Sequence, residues 1–342
     1  MFDHTTLAMI WFVITGMLLL AYLVLDGFDL GVGILHPVAR TEKDRQIMMN
    51  AIGPFWNGNE VWLVTFGGVL FGAFPVAYSA LLSGFYILFM LILFCLIFRA
   101  VSLEFRSQVS NKLWRFFWDW CFWFSSVLVT LIFGIIIGNS ILGVPLSPNQ
   151  TFMQSLGDQL NLYSLLIGVC FTSLFALHGS MFLFLKTEGE LKKHIHTWTK
   201  RAFALFLVLF VITLFVTGYI APRISTQVST HPWIWLLVLL CAVAIVSMFV
   251  SLLRAHPTFA FLSSSCTIGA ITLLFCAVMY PTLIYSSIDP ALDLTIYNAS
   301  SGEKSLNIMF IFALIGFPLI MTYTFVIYRV FWKSKPNENG EY

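Results

Sequence analysis

The chain has 342 residues, of which 59% are hydrophobic and only 10% charged, with 35 phenylalanines and a formal net charge of +2. A soluble domain carries roughly a quarter charged residues, and no excess of basic residues is left over for a polyanion. Soluble enzymes and nucleic-acid-binding proteins are therefore excluded, and the composition is that of a polytopic membrane protein.

A window of about 20 residues finds spans at 7 to 28, 52 to 73, 76 to 98, 117 to 140, 161 to 185, 202 to 220, 233 to 253, 258 to 280 and 306 to 330. The first run lacks a basic n-region and a small-residue cleavage pattern and is too long for an h-region, so it reads as a retained helix and not a signal peptide. It holds no charge from Leu7 to Leu25, then meets two acids in Asp26-Gly27-Phe28-Asp29-Leu30-Gly31. Spacing of i, i+3 puts both on one helical face, and an ionisable group at membrane depth is a functional hypothesis by default. Helix capping or contact with headgroup water is the other reading of the same pair.

The second span opens on Trp56, Asn57, Asn59 and Glu60 and is the most polar. It is retained because omitting it scrambles the charge distribution. Arg99 closes the third span, placed to pair with Asp26 or Asp29; Glu104 and Arg106 follow, and Asp119 lies in the fourth. From the fifth span onward charges are almost absent. Residues 1–140 thus read as a working bundle and 161–281 as a second, mainly packing bundle, within one membrane domain, 1–342.

His178, in the fifth span, is the one histidine well inside a helix, and a lone helical histidine reads more readily as a packed, hydrogen-bonded residue than as a ligand. The segment 186–201 is basic, with His194 and His196 among its lysines, and reads as a solvated loop facing headgroups. Outer segments 141–160 and 281–305 are long enough to lie on the surface, and the tail after Phe331 is polar and expected to fray. With the N-terminus outside, 16 of the 18 Lys and Arg fall on inner segments, leaving Arg223 and Lys304. That asymmetry fixes an N-out, C-in expectation.

The six cysteines all fall in apolar runs without C-x-x-C spacing, so they read as packing residues and not disulfides or ligands. The sequence has no Walker loop, dinucleotide fingerprint or His/Cys cluster, and no facing axial pair for haem. It does not read as an enzyme sufficient by itself.

Three motifs stand out: Asp26-Gly-Phe-Asp29-Leu-Gly-Val-Gly33, Arg45-Gln-Ile-Met-Met-Asn50 and Pro54-Phe-Trp56-Asn-Gly-Asn59-Glu-Val-Trp62-Leu. With Ala80-Leu-Leu-Ser-Gly-Phe-Tyr86, Phe98-Arg99, Glu104-Phe-Arg106-Ser, Trp118-Asp119-Trp120, Gly138-Asn139, Gly143-Val-Pro145, Thr187-Glu-Gly-Glu190-Leu and Ser305-Leu-Asn307-Ile-Met309, they resemble subunit II of the cytochrome bd-type quinol oxidases along nearly the whole chain.

The resemblance implies an all-α fold of nine transmembrane helices, two four-helix bundles plus a peripheral ninth helix at 306–330. It implies pairing with a similarly folded subunit I that carries two haems b, haem d and the quinol-oxidising loop, in a bacterial cytoplasmic membrane. The complex oxidises quinol and reduces dioxygen to water with four electrons, building a proton gradient without pumping. This chain would then bind no haem or metal and contribute no catalytic residue; it would support assembly and a proton route. A structural quinone or lipid and a small single-helix accessory subunit belong to the same expectation.

The route's candidates are Asp26, Asp29, Asn57, Glu60 and Asp119, and the ion-pair or interface candidates are Arg99, Glu104, Arg106, Trp56 and Trp62. Asn57 departs from many relatives, which have an acid there. Either Glu60 takes the role, water bridges past Asn57, or the route is weak; alternatively Trp56-Asn57-Gly58-Asn59 is a helix cap, with Asn57 or Asn59 accepting backbone N–H groups. A secondary transporter and a scaffold without chemistry are the competing functions.

Overall fold

Asp3 caps the first helix, α1 (His4–Leu35), by accepting the Thr6 backbone N–H, and the helix runs on without interruption to a 3₁₀ turn at His36–Val38. Pro37, which lacks an N–H, ends it. The structure, a computed structural model, describes residues 2–148, 154–332 and 334–336. The tail expected to fray lies partly outside these. The extension of α1 corrects the expected end at residue 28: Asp26 and Asp29 lie about two turns inside the helix and are fully buried. They neither cap it nor meet headgroup water.

A short helix, α2 (Glu42–Ile52), follows with a Thr41/Asp44 capping box. Next come α3 (Trp56–Ala73) and α4 (Pro75–Gly84), bent by 120° at their junction. Phe74 precedes a proline and is pushed out of the helical region, with φ −131° and ψ 61°. A second break at Phe85 precedes α5 (Tyr86–Phe105). The expected third span, 76–98, therefore straddles a break, and α5 is the crossing segment. Arg99 lies within α5, more than a turn before its end, and does not close it. Carbonyls freed at the two breaks are recovered from elsewhere: Ser301 donates to those of Gly72 and Ala73, and the Gln159 amide to that of Gly84.

The remaining helices are α6 (Lys112–Leu142), α7 (Leu156–Gln159), α8 (Leu162–Lys186), α9 (Gly189–Ile220), α10 (Pro222–Thr230), α11 (Ile234–Leu253), α12 (Pro257–Met279) and α13 (Glu303–Phe331). The basic segment expected as a loop is largely helical, because Glu190, Leu191 and the lysines after Gly189 are good helix formers and start α9 early. Between α12 and α13, strands β1 (Thr282–Ile284) and β2 (Leu294–Thr295) pair antiparallel, with Thr282 opposite Thr295 and Ile284 opposite Leu294. Among the described residues eight single helices are long and apolar enough to cross a membrane, and counting the bent α3–α4 pair as one span makes nine.

Helix α8 is central, packed against α1, α6, α9 and α12. Glycines set its distance from α1: a Cβ at Gly31 would overlap the Phe175 carbonyl oxygen and the backbone of Gly179, and one at Gly179 would overlap Gly31. Backbone meets backbone there. Farther along, Gly134 meets Gly168 in the same way where α6 crosses α8. Beside the α1–α8 crossing, the rings of Phe28 and Phe182 stack with centroids 4.1 Å apart, and Phe55 packs edge-on to both.

Helix α13 differs from the rest. Only Leu306 and Asn307 of its residues are buried, and it is held chiefly at its two ends. At one, the Trp11 indole N–H donates to the Leu306 carbonyl at 3.2 Å. At the other, the Lys186 amine donates to the carbonyls of Phe331, Trp332 and Ser334 at 2.6, 2.9 and 3.3 Å, capping the helix C-terminus from a neighbouring helix. Lys335 then pairs with Glu188, and this hydrogen bond holds the Glu188 carboxyl below its usual range.

Candidate functional site: buried carboxylates between α1, α3, α5 and α13

Two polar clusters lie in the half of the membrane domain nearer Leu35. In the inner one, the Arg99 guanidinium grips Asp26 with two bonds, Nη1 to Oδ2 at 3.0 Å and Nη2 to Oδ1 at 2.7 Å, and Nη2 also reaches Glu60 Oε1 at 2.6 Å. The fork of the guanidinium suits a carboxylate held in this bidentate way. Arg99 and Asp26 are fully buried, whereas the Glu60 side chain is 26% exposed.

Asp29 takes no part in that grip. Its Oδ2 accepts from Asn59 Nδ2 at 2.7 Å, and its Oδ1 is buried with no hydrogen-bond partner among the described residues. Arg99 thus selects Asp26 and Glu60, and of its two expected partners Asp29 is not one. Asn59 Nδ2 also donates to the Leu25 carbonyl at 2.9 Å, and Asn59 Oδ1 accepts from the Tyr328 hydroxyl at 3.1 Å. The capping reading of Asn57 and Asn59 fails on this geometry, since Phe55 occupies the N-cap of α3 without a side-chain hydrogen bond. Asn57 faces outward and its side chain makes no hydrogen bond among the described residues. Two residues of α-helix turn through about 200°, so Asn57 and Asn59 point to opposite sides.

The outer cluster centres on Asp119. Its Oδ1 lies 2.5 Å from both His36 Nε2 and Arg106 Nε, and Arg45 approaches Oδ2 at 3.5 Å. Arg106 is itself buried and donates to Gln46 at 2.7 Å and to Glu42 at 2.8 Å, and Arg115 reaches the same Glu42 oxygen at 3.1 Å. The network ties α2 to α6 and to the turn after α5. Asp119→Asn removes the charge that Arg106, Arg45 and His36 share, so α2 is expected to loosen by about 1–3 kcal/mol. Faster amide exchange confined to 42–52 in the purified protein checks this, and unchanged exchange there would refute it.

Trp62 is buried on the inner side of α3 against Phe317, and Trp56 is half-buried. Glu104 is exposed and forms no ion pair among the described residues. Asn59, Tyr328, His36, Gln46, Arg45 and Glu42 were not singled out from the sequence as site residues. Their one signal is polarity beside an apolar run, which is no guide to which way each points.

Both ring nitrogens of His178 are engaged, Nδ1 with Ser264 Oγ at 2.7 Å and Nε2 with the Val24 carbonyl at 3.0 Å, and the ring stacks on Phe261. It has no free nitrogen for an iron. Among the described residues no three His, Cys, Asp or Glu side chains gather as a metal site, and all six cysteines are free.

A family model described as cytochrome bd terminal oxidase subunit II matches residues 7–331, which contain both clusters. The chain belongs to that family. Subunit 2 of the cytochrome bd-I ubiquinol oxidase of Escherichia coli K12 is 32% identical over 364 aligned residues, covering 97% of this chain and 95% of the relative. Subunit 2 of the cytochrome bd ubiquinol oxidase of Bacillus subtilis 168 is 32% identical over 327, covering 95% of each. The solved bd oxidase of Geobacillus thermodenitrificans has a chain of the same fold, with a TM-score of 0.78 at 16% identity over 95% of this chain and 98% of that one. As a subunit II of a cytochrome bd oxidase, the chain is a multi-pass membrane component of a quinol oxidase complex and partners a subunit I.

Proposed function

We propose that this subunit II binds no haem itself, holds the complex together with subunit I in a bacterial cytoplasmic membrane, and passes protons from the cytoplasm toward the oxygen-reducing centre. The two haems b, the haem d and the quinol site lie in subunit I on this reading, with four electrons taken from quinol to dioxygen and the gradient built without pumping. The Leu35 end faces the cytoplasm, a reading supported by the sequence, which assigns 16 of the 18 Lys and Arg to inner segments. On the same reading 1–140 is the working bundle and 161–281 the packing bundle.

The observation that carries the proton route is the unequal treatment of the acids on α1. Asp26 has both oxygens bound to Arg99, whereas Asp29 has one oxygen bound to Asn59 and the other buried without a partner. A carboxylate locked in a bidentate ion pair is a poor carrier, because protonation breaks the pair. Asp29 can gain and lose a proton without disturbing Arg99. Asp26 then serves as the anchor, Asp29 as the carrier, and the partly exposed Glu60 as the point where a proton leaves this chain. Asp119 and its cluster guard the cytoplasmic approach, and Asn57, turned outward, is left out of the route.

Asp29→Asn tests this in the two-subunit complex. Quinol-dependent oxygen uptake is expected to fall at least tenfold, the scale of a lost proton-transfer group, with haem content and complex yield unchanged. Loss of the complex itself would favour the scaffold reading. Unchanged turnover would remove Asp29 from the chemistry.

A further inference from the structure

The peripheral helix reaches the carrier. Tyr328 lies on α13, otherwise mostly exposed, yet its hydroxyl donates to Asn59 Oδ1 at 3.1 Å while its ring packs 4.9 Å from that of Phe55. A carboxamide has a donor end and an acceptor end that look alike in shape, so something must decide which end faces Asp29. Two contacts do so here. The Leu25 carbonyl accepts only from an N–H, and the Tyr328 hydroxyl, whose proton has no other acceptor among the described residues, is satisfied by the amide oxygen. Together they turn the Asn59 N–H toward Asp29 Oδ2.

We infer that Tyr328 is a positioning residue for the proton route: by fixing the Asn59 amide it makes Asp29 Oδ2 the permanent acceptor and leaves Oδ1 as the oxygen that takes up and releases the proton. The inference rests on the reading of Asp29 as carrier. The Lys186 amine on the Phe331, Trp332 and Ser334 carbonyls holds the last turn of α13 where Tyr328 can make this contact. A flipped amide would present its carbonyl to Asp29, which can bond it only while protonated, so exchange at Asp29 depends on the contact with α13. The other titratable or charged groups around Asp29 are Asp26 on α1, Glu60 on α3 and Arg99 on α5, while Tyr22 on α1 faces Asp26 and His178 on α8 is turned to Ser264 and Val24.

Tyr328→Phe removes one oxygen and keeps the ring, so the complex is expected to assemble with its full haem content. Its pH–rate profile for quinol-dependent oxygen uptake is expected to be displaced by about one pH unit, the equivalent of one hydrogen bond to a charged group. In an Asn59→Leu background the same substitution is expected to have no further effect, because Tyr328 acts only through the amide. Independent of turnover, the carboxylic C=O band that Asp29→Asn deletes from the redox-induced infrared difference spectrum is expected to shift in Tyr328→Phe. An undisplaced profile with an unshifted band would overturn the inference, as would an equal effect of Tyr328→Phe with and without Asn59. If Asp29→Asn slows turnover while Tyr328→Phe does nothing, the positioning role alone fails; if Asp29→Asn is silent, the carrier reading beneath it fails.

Discussion

Arg99→Leu is expected to abolish stable assembly of the complex. The guanidinium is fully buried and bridges Asp26 and Glu60. Leucine leaves the buried Asp26 and the partly exposed Glu60 without their shared partner, each repelling the other. Removing one member of a buried pair costs about 3–5 kcal/mol, against a total stability of about 5–15 kcal/mol. The yield of haem-loaded complex in detergent and its thermal midpoint are the measurements, and wild-type values for both would sink the prediction. A triple variant, Arg99→Leu with Asp26→Asn and Glu60→Gln, removes the stranded charges and is expected to recover yield but not turnover. Recovery of neither would mean that the arginine's bulk matters more than its charge.

Gly31→Ala is expected to be strongly destabilising. The new Cβ would fall on the Phe175 carbonyl oxygen and on the backbone of Gly179, and no side-chain rotation relieves a clash between two backbones. Helices α1 and α8 have to separate, which breaks the aromatic stack of Phe28 on Phe182 and moves Asp26 and Asp29 with α1. Overpacking a close-packed interior costs about 1–3 kcal/mol when side chains can yield, and this contact sits at or above the upper end. Gly67→Ala and Gly68→Ala are the controls, since a Cβ at either position meets nothing within 4 Å. Both are expected to be neutral or slightly stabilising, because alanine favours the helix by up to about 1 kcal/mol. Equal thermal midpoints for Gly31→Ala and Gly67→Ala would refute the argument.

The charged residues of the inner cluster could be found in the sequence because an apolar run makes any buried charge conspicuous. Asp26, Asp29 and Arg99 announce themselves in this way, as does Asp119. Their partners do not. That Arg99 takes Glu60 in preference to Asp29 depends on the rotation of α3 against α1, where Phe55 packs on Phe28, and not on any local signal. The 20-residue window averaged over the break at Phe85 and so put Arg99 at a helix end. The same window ended α1 near residue 28, where the acids lower its hydropathy; in a membrane, with no water to take up freed backbone groups, the helix persists until a proline ends it. Tyr328 was hidden by its surroundings, one hydroxyl in an apolar helix with no spacing to tie it to Asn59.

The attachment of α13 at its two ends bears on the order in which the subunit is made. Every other helix that lines the inner cluster precedes α13 in the chain and leaves the ribosome first, so the acids and Arg99 can pair while synthesis is still under way. Until Tyr328 and the carbonyls that Lys186 captures have emerged, the Asn59 amide keeps only the Leu25 carbonyl of its two orienting contacts. The segment that finishes the site is thus translated after every helix it completes. A subunit cut short before α13 would hold an unfinished carrier, and its Lys186 amine would lack the carbonyls of Phe331, Trp332 and Ser334.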